Sequence, residues 1–524
     1  MTPFLSGPPS VRLVNAFHRP FENAVATART CYSAKGIITP EEVGGDREKS
    51  EEKRAEKAGR RDSLARSIYE AGHHTTLQHA HFQFALDRVS RHCIWAFLHS
   101  HPFYNSEQVS QRYVEVKEGY YAVPPLTGEA LRLYTDTCDA QVRCYQKLIG
   151  VLTPMVGEEY YRRFAGRRTN PKYDREVKKK AQETARYVLP VSIFAYMYHT
   201  VSGLTLLRYW RMCEQPDAPA ETRALVGLMV EELLRADPLF KVILEEPVPE
   251  AELPETAIQQ RWRSSAKEFC GEFDAKLGGR TSALTGWKTD NERGLADAVR
   301  EVFGLPEGRM TDDDAIAAAL DPRSNRWFGE SMNVTTLSHL SRTLHHPSFT
   351  FRKKLSHTAD SQDQRHRMTP ASRPVLLAHL HDEPDYVAPE ILRLSPDGDR
   401  LFREAMDRGW DAFARLKAMG VPGEFAQYVL PNAVSVRFSE SSDLLNLHHK
   451  LKARLCYNAQ EEIWRASKDE AEQIREVNPR IGRYLQPPCG LRWMAGIKPS
   501  CPEGDRYCGI PVWKIEMKDY VRTI

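Results

Sequence analysis

The residues at positions 110–113, Ser-Gln-Arg-Tyr, follow an apolar stretch and gather side chains that can recognise a nucleotide. The guanidinium of Arg112 is a planar fork of donors that matches a phosphate, Ser110 can hydrogen-bond to the edge of a base, and Tyr113 can stack on it. Gln108, just before the run, adds an amide to this set. We therefore predict a small-molecule pocket at this end of the segment.

Histidines crowd the stretch before this run, which raises the question of a metal site. They are His73, His74, His79, His81, His92, His99 and His101. No His-Glu-x-x-His spacing occurs among them, and no nearby carboxylate completes a ligand set for zinc. We predict that these histidines bind no metal and are a mixture of buried and surface side chains.

Residues 443–463 are predicted to form a helix whose regular apolar pattern is interrupted by polar side chains. The interrupting residues are Arg454, Gln460 and Glu462. Taken alone, such a pattern is typical of the solvated face of a helix.

Three cysteines, Cys489, Cys501 and Cys508, lie near the end of the sequence. Three thiolates suit zinc, but their spacing is loose and the neighbouring sequence offers no fourth ligand. Buried thiols are therefore favoured, and a structural zinc is the alternative. The ten cysteines of the whole chain are too sparse for a disulfide scaffold, which is typical of a reduced, cytosolic protein.

The composition argues against several classes of protein. Basic residues exceed acidic residues by only three, so no general excess of positive charge supports nucleic-acid binding. No apolar run approaches the roughly 18–20 residues that span a bilayer, and no basic-then-apolar leader opens the sequence. We predict a soluble, cytoplasmic protein without nucleic-acid or membrane partners, long enough at 524 residues for two or more domains.

Two motifs recur in the same order in the two halves of the chain. Thr-Thr-Leu-Gln-His at residues 75–79 returns as Thr-Thr-Leu-Ser-His at residues 335–339. Ala-Arg-Tyr-Val-Leu-Pro at residues 185–190 returns as Ala-Gln-Tyr-Val-Leu-Pro at residues 426–431. This internal similarity predicts a tandem duplication with its boundary near residue 275. The predicted domains are residues 1–274 and 275–524.

Several elements can be predicted from the local pattern. Residues 11–33 are expected to form a strand followed by a helix. Residues 127–152 and 220–236 are expected to be helices, and so is the apolar segment that follows Pro190.

Three segments resemble the flavin-dependent (alternative) thymidylate synthases. Residues 72–79 match the Gly-His-x-[Ser/Thr]-x-x-[Glu/Gln]-His motif of that family. Ser110, Arg112 and Tyr113 match the end of its signature RHRxxSxNExSxRY. Residues 453–463, which follow a Leu-Pro pair, are similar to its LRxxxxAQxEI motif. The resemblance covers most of both halves.

The resemblance implies a fold and a reaction. The expected fold is α+β, with two tandem family domains that each contain an antiparallel sheet and packed helices. The expected reaction is reductive methylation of dUMP to dTMP, with FAD as cofactor and with methylenetetrahydrofolate and NADPH as co-substrates. The enzymes of this family are tetramers with sites between subunits, so two chains of two domains each would form an equivalent homodimer.

Matched position by position, the resemblance also assigns roles to particular side chains. The residues expected to bind the flavin are His73, Thr75, His99 and His101. The residues expected to bind the nucleotide are Gln108, Ser110, Arg112, Arg186 and Arg454. Among these, the expected catalytic residues are Arg112 and Arg454.

The first half departs from the family signature. The Arg-His-Arg of the signature falls either on residues 98–100 or on residues 100–102, so that a histidine remains while both arginines are absent. The second half contains a literal Arg-His-Arg at residues 365–367, for which the pattern alone indicates no role.

The losses in the two halves complement each other. The second half keeps Arg454 and Gln460, whereas Cys213 occupies the position of that arginine in the first half. We therefore expect each working site to combine Ser110 and Arg112 of the first half with Arg454 of the second.

Two interpretations of function follow. The absent arginines favour a non-catalytic or altered-function relative that binds a nucleotide or a flavin, whereas the retained Ser110, Arg112 and Arg454 favour an enzyme. The chain contains no Gly-x-Gly-x-x-Gly and no P-loop motif, and no cysteine has the sequence context of a nucleophile. We take the flavin-dependent enzyme as the predicted function and the binding protein as the alternative.

Overall fold

A computed structural model describes residues 4–262, 265–522 and 524 and contains two four-stranded antiparallel sheets. The strands are β1 Ser10–Ala16, β2 His81–Ser90, β3 Asn105–Gln108, β4 Phe194–Ser202, β5 Ser282–Trp287, β6 Ser348–Ser356, β7 Ala371–Ser372 and β8 Ser435–Asp443. The first sheet has the order β1-β2-β4-β3, and the second has the same order, β5-β6-β8-β7. The repeated strand order confirms the predicted α+β class and the two tandem domains.

The pairing register makes the two sheets directly comparable. His81 lies opposite Ser202 in the first sheet, and Ser348 lies opposite Asp443 in the second. Both pairs stand at the same end of the two central strands, where the chain leaves the sheet for a helix. Positions in β2 and β4 can therefore be matched to positions in β6 and β8 by counting from these pairs.

Helices surround each sheet, joined by short 3-10 turns. They are α1 Pro20–Thr30, α2 Pro40–Gly44, α3 Glu51–Glu70, α4 Arg91–Cys93, α5 Gly128–Arg163, α6 Lys172–Ala185, α7 Gly203–Arg211, α8 Pro219–Ala236, α9 Pro254–Arg261, α10 Ala266–Leu277, α11 Asn291–Phe303, α12 Asp312–Leu320, α13 His357–Asp363, α14 Pro396–Ala418, α15 Gly423–Ala426, α16 Leu444–Arg454, α17 Glu461–Val477, α18 Pro479–Gly482 and α19 Pro488–Met494. No helix in the described part of the chain has the length and apolar character needed to cross a membrane.

Most of the elements predicted from the local pattern are confirmed. The strand and helix predicted at residues 11–33 are β1 and α1, and α1 begins at Pro20, where the absence of an N–H costs nothing. The helices predicted at residues 127–152 and 220–236 are α5 and α8. The helix predicted over residues 443–463 is divided into α16 and α17 by a turn.

The segment after Pro190 is the strand β4, so the helix predicted there is wrong. Its side chains alternate: Met197 and His199 are buried, whereas Tyr196 and Tyr198 are about half exposed. This period of two is that of a strand. Because β4 pairs with both β2 and β3, hydrogen bonds on its two edges override the helical tendency of a locally apolar sequence.

The chain divides into two compact units that are not continuous in sequence. The first unit comprises residues 4–139, 190–262 and 411–430, and it contains the first sheet. The second unit comprises the other described residues, including the segment 140–189, and it contains the second sheet. Each unit therefore includes a segment of the other repeat. The repeat boundary near residue 275 stays a prediction, since compactness in space does not test it.

Each unit has its own apolar core between its sheet and the helices that flank it. In the first unit, Phe82 and Phe84 of β2 are fully buried in a cluster with side chains of α1, α7 and α8. In the second unit, the equivalent Phe349 and Phe351 of β6 are buried in a cluster with α11, α12, α16 and α17. The alternating aromatic residues of the two strands thus point to the same side of equivalent sheets.

Candidate active site

A buried glutamate at the start of α8 anchors the first unit. Ser90, at the end of β2, donates two hydrogen bonds to the carboxylate of Glu221, from its backbone N–H at 2.7 Å and from its hydroxyl. The hydroxyl of Tyr428 donates a third hydrogen bond to the same carboxylate. Burial raises the pKa of Glu221 because a charged carboxylate loses its water there.

The second unit repeats this arrangement at the start of α17. Ser356, at the end of β6, donates to Glu462 through its backbone N–H and its hydroxyl, and Tyr187 donates from its hydroxyl at 2.7 Å. Burial likewise raises the pKa of Glu462. This glutamate of the predicted AQxEI motif is therefore a buried structural anchor, and its side chain does not lie on a solvated helix face.

The tyrosine in each anchor belongs to the opposite repeat. Tyr428 comes from the second repeat but packs in the first unit, and Tyr187 comes from the first repeat but packs in the second unit. Backbone bonds reinforce both: Ser192 donates to the carbonyl of Tyr428, and Ala433 donates to the carbonyl of Tyr187. The recurring motif at residues 185–190 and 426–431 thus contains the tyrosine that each repeat contributes to the unit of the other repeat. We call these two stretches the exchanged segments.

Arg186 lies beside that tyrosine in the second unit and is 6% exposed. Its guanidinium donates to the side-chain oxygen of Gln460 at 2.8 Å, and the amide of Gln460 donates to Tyr187 at 2.6 Å. In the first unit, the corresponding positions hold Gln427, which donates to the carbonyl of Asp217, and a proline. The second unit alone has this arginine–glutamine pair among the described residues.

Arg454 ends α16 in the second unit and contacts the literal Arg-His-Arg segment. Its Nε donates to Nε2 of His366 at 2.7 Å, and its guanidinium reaches the carbonyl of Gln362 at 3.3 Å. Burial and then the charge of Arg454 lower the pKa of His366 well below its usual range, so the ring is neutral and can accept. The histidine at residue 366 thus positions one of the arginines expected at the nucleotide.

The polar run at residues 110–113 forms a turn after β3 in the first unit. The hydroxyl of Ser110 accepts from the backbone N–H of Arg112 at 3.3 Å, and the carbonyl of Ser110 accepts from the N–H of Tyr113. The guanidinium of Arg112 lies 5.6 Å from the ring centre of Tyr113, which is about half exposed. Gln108 ends β3 opposite Met197 and leads into the turn.

The expected nucleotide residues therefore lie in two groups. Gln108, Ser110 and Arg112 belong to the first unit, where they form one strand end and turn. Arg186 and Arg454 belong to the second unit, where each is held by a polar partner. A site that uses both groups stays a prediction.

The histidines expected to bind the flavin differ in exposure. His73 and Thr75 are exposed at the start of the 3-10 helix His74–His79, which is fixed by the stacking of His74 on Tyr69. His99 is 4% exposed, and its ring lies flat against Tyr104 at 4.5 Å. Of these histidines, His73 is exposed, His101 is half-buried and His99 is buried.

His99 and the half-buried His101 belong to a group in the first unit that we name the imidazole–tyrosine cluster. Its members are His99, His101, Tyr104, His199 and Tyr209. The hydroxyl of Tyr209 hydrogen-bonds to both His101 and His199, at 2.8 and 2.9 Å. Burial lowers the pKa of His199 to about 3, so this ring is neutral at physiological pH.

The second unit has charged residues in the matching interior, and we name them the buried ion cluster. Its members are Lys353, Asp363, Glu440, Lys450 and Glu470, all at most 1% exposed. Lys353 lies 2.8 Å from Asp363 and 3.0 Å from Glu470. Burial alone would raise the pKa of Asp363, but the charges of Lys353 and Lys450 outweigh it and hold that pKa well below its usual range.

The sequence predictions missed the buried ion cluster, although the pattern contains a signal. In β6, Phe349, Phe351, Lys353 and Leu355 share one face, so a lysine stands where the period of two requires an apolar residue. A charged residue in the inward phase of a central strand is buried and must be paired. Glu440 of β8, buried at 1%, is the same kind of exception.

Residues 12–239 and 291–480 match the family model described as thymidylate synthase complementing protein. The chain is similar to the flavin-dependent thymidylate synthase of Geobacter sulfurreducens, with 31% identity over 179 residues that cover 34% of this chain and 74% of that one. It is also similar to the enzymes of the same name from Clostridium tetani, at 27% identity over 44% and 85% of the two chains, and Saccharolobus solfataricus, at 27% over 39% and 76%.

Proposed function

Since this chain belongs to the thymidylate synthase complementing protein family and matches the family model twice, we propose that it is a flavin-dependent thymidylate synthase. The proposed reaction is reductive methylation of dUMP to dTMP. FAD is the proposed cofactor, methylenetetrahydrofolate the carbon donor and NADPH the source of reducing equivalents. The names of the similar proteins support the coarser part of this proposal, thymidylate synthesis with a flavin.

The observation that carries the proposal is the hydrogen bond between Arg186 and Gln460. It joins the exchanged segment of one repeat to the AQxEI motif of the other, inside one compact unit. Two separately recognised motifs thus meet, as expected if their side chains serve a common ligand. A non-catalytic scaffold would need only the buried Glu462 anchor and would not need a guanidinium beside it.

Arginines supply the proposed recognition of the nucleotide. The phosphate of dUMP carries up to two negative charges, and a guanidinium can bind two of its oxygens at once. Arg112 extends from a turn whose backbone is fixed by Ser110, and Arg454 is oriented by the neutral ring of His366. Orientation before binding reduces the entropy that each side chain loses when the phosphate arrives.

The residues fit a flavin in part. His73 and Thr75 present an imidazole and a hydroxyl to solvent from a 3-10 helix whose own packing keeps it in place. His99 and His101 instead face the imidazole–tyrosine cluster, so we assign flavin contact to His73 and Thr75 first. When bound, the flavin supplies the hydride that completes the methyl group.

We further propose a cytoplasmic homodimer. Each chain contains two family domains, so two chains together contain four, the number in a tetramer of single-domain subunits. Light scattering coupled to gel filtration tests this part: a mass of twice 59.9 kDa agrees with it, and the mass of one chain contradicts it.

Calorimetric titration of dUMP into flavin-loaded protein tests the assigned residues. We expect Arg112→Ala and Arg454→Ala each to weaken dUMP binding by about 10-fold to 100-fold, because a charge-assisted hydrogen bond contributes about 1.5–3 kcal/mol. Formation of dTMP should fall at least as much. Arg66→Ala and Arg400→Ala, which remove exposed helical arginines, are the matched controls and should bind normally.

Two results would contradict the proposal at different levels. A purified protein that is colourless and takes up no added FAD would contradict the proposal that this chain is a flavin-dependent enzyme. Normal dUMP binding by both arginine variants would contradict the proposed roles of Arg112 and Arg454 but would not contradict the proposed reaction.

A further inference from the structure

Four cysteines line one small cavity in the second unit. They are Cys456, Cys489, Cys501 and Cys508, and none of them forms a disulfide. The cavity has a volume of about 20 Å³ and its other walls are mostly apolar and aromatic. A space of this size is sufficient for a single ion.

The fourth cysteine comes from a different part of the chain. Cys456 lies in the turn between α16 and α17, Cys489 lies in the first turn of α19, and Cys501 and Cys508 flank the 3-10 helix Gly504–Arg506. The last three are close in sequence, whereas Cys456 is brought to them by folding. Cys456 therefore supplies the fourth sulphur that the sequence around the other three cysteines does not contain.

Burial raises the pKa of all four thiols, and backbone hydrogen bonds oppose this effect. A backbone hydrogen bond from Asn458 acts on Cys456 and one from Glu503 acts on Cys501, in each case lowering a pKa that burial raises. A bond with that effect is donated to the sulphur, because it favours the charged form. Amide donors at metal-bound sulphurs have the same role, since they spread the negative charge of the ligand.

Positive charge is also present nearby. Arg492 lies close enough to Cys501, and Arg163 close enough to Cys508, to lower the pKa of those thiols against the effect of burial. Four thiolates around a divalent ion carry a net charge of minus two, which needs compensation in a half-buried site. The two arginines compensate part of that charge, although Glu503 acts in the opposite direction on Cys456 and Cys501, and Arg163 is also paired with Glu159 at 2.7 Å.

We propose that these four cysteines bind one structural zinc ion in a tetrahedral site. On binding, each thiol releases one proton to solvent and forms one sulphur–zinc bond, and nothing is oxidised or reduced. Four sulphur ligands with no open position are the ligand set of a structural site, so no catalytic role is assigned to the ion.

Zinc would have to draw the sulphurs inward. A zinc–sulphur distance of about 2.3 Å places neighbouring sulphurs about 3.8 Å apart. Among the described residues, the three-ligand set already within 4.8 Å is a different one, Cys270, His381 and Asp385. In that set Arg437 donates to both carboxylate oxygens of Asp385, and Nζ of Lys354 lies 3.4 Å from one of them. These two positively charged side chains would repel a metal ion at the same carboxylate. Among the described residues that line the four-cysteine cavity there is no lysine or arginine.

The proposed ion would fix a turn that matters for the nucleotide. Cys456 follows Arg454 and precedes Gln460 in the segment that connects α16 to α17. A bond from this turn to the C-terminal segment would restrict the backbone that carries both side chains. The inference is independent of the proposed reaction, because zinc content can be measured without dUMP or flavin.

Elemental analysis of the full-length chain, freed of any purification tag, tests the proposal. We expect one zinc per chain, and exchange for Co²⁺ should produce the thiolate charge-transfer band and the visible absorption of tetrahedral cobalt. Cys456→Ser should lose most of the zinc, whereas Cys31→Ser, which changes an exposed cysteine, should keep it. Stoichiometric iron in place of zinc would overturn the assignment.

A second measurement serves if Cys456→Ser does not fold. Wild-type protein with and without excess zinc is treated with a thiol-reactive reagent, and each cysteine is then mapped by mass spectrometry. Zinc should protect Cys456, Cys489, Cys501 and Cys508 and leave Cys31 reactive. A wild-type chain that retains no zinc after gel filtration and shows no such protection would overturn the proposal.

Discussion

The interiors of the two sheets differ more than their backbones do. Counting from the paired strand ends, His199 in the first unit corresponds to Glu440 in the second, and Tyr209 corresponds to Lys450. Leu86 likewise corresponds to Lys353. The imidazole–tyrosine cluster and the buried ion cluster thus occupy equivalent places in equivalent folds.

This difference shows that register and strand order do not determine the polarity of the interior. The backbone requires only that inward side chains fill the space and that their polar atoms find partners. Histidine with tyrosine meets that requirement without charge, and lysine with carboxylates meets it with charge. The lysines and carboxylates of the buried ion cluster depend on one another, because removing one side chain leaves an uncompensated buried charge.

The largest expected effect on stability comes from a substitution in the buried ion cluster of the second unit. Lys353→Met removes one of two cations among three carboxylates, and we expect it to lower the free energy of unfolding by about 3–5 kcal/mol. Leu86→Met at the equivalent position of the first unit should cost less than about 1.5 kcal/mol. Urea unfolding followed by tryptophan fluorescence measures both, and equal losses would show that the two interiors respond alike.

Measuring stability at several pH values tests the role of His199 in the imidazole–tyrosine cluster. The pKa of His199 is lowered to about 3 in the folded protein, against about 6.5 when unfolded, so protonation favours the unfolded chain. Stability should therefore fall as the pH decreases from about 6.5 towards 3, with this histidine contributing up to about 1.4 kcal/mol for each pH unit.

His199→Gln should reduce that slope, measured by urea unfolding at several pH values. His18→Gln, which replaces an exposed histidine, is the matched control and should leave the slope unchanged. If the slope of His199→Gln equals that of the wild type, the imidazole is not the group that titrates.

The smallest expected effect compares the two anchors. The hydroxyl of Tyr187 donates to Glu462 and accepts from Gln460, whereas that of Tyr428 donates to Glu221. We expect Tyr187→Phe to cost about 2 kcal/mol and Tyr428→Phe about 1 kcal/mol. Thermal unfolding measures both, with the half-exposed Tyr198→Phe as control. The reverse order would mean that the Gln460 contact contributes nothing.

Much of the fold could be predicted from the sequence. The duplication, the α+β class and elements such as α1 and α8 follow from recurring motifs and local periodicity. The strand β4 was missed because its hydrogen-bonding partners are far away in sequence, and a local pattern contains no information about them.

The candidate site could be predicted only in part. The run at residues 110–113 and Arg454 are recognisable as motif residues, but the contact of Arg454 with His366 depends on how two distant segments fold together. Cys456 was missed for the same reason, because the spacing of the other three cysteines points nowhere near it. A local sequence pattern contains no information about contacts between residues that are distant in sequence.

The exchange of the segments around Tyr187 and Tyr428 has a consequence for how the chain can change. In a single-repeat protein, the same exchange requires two identical chains, so any substitution occurs in every copy of the site. Here each tyrosine occurs once per chain, and its glutamate is on the other repeat. A substitution in one repeat therefore leaves its counterpart untouched. One repeat can hold Cys213 where the other keeps Arg454, and one interior can hold lysines and carboxylates while the other holds histidines and tyrosines.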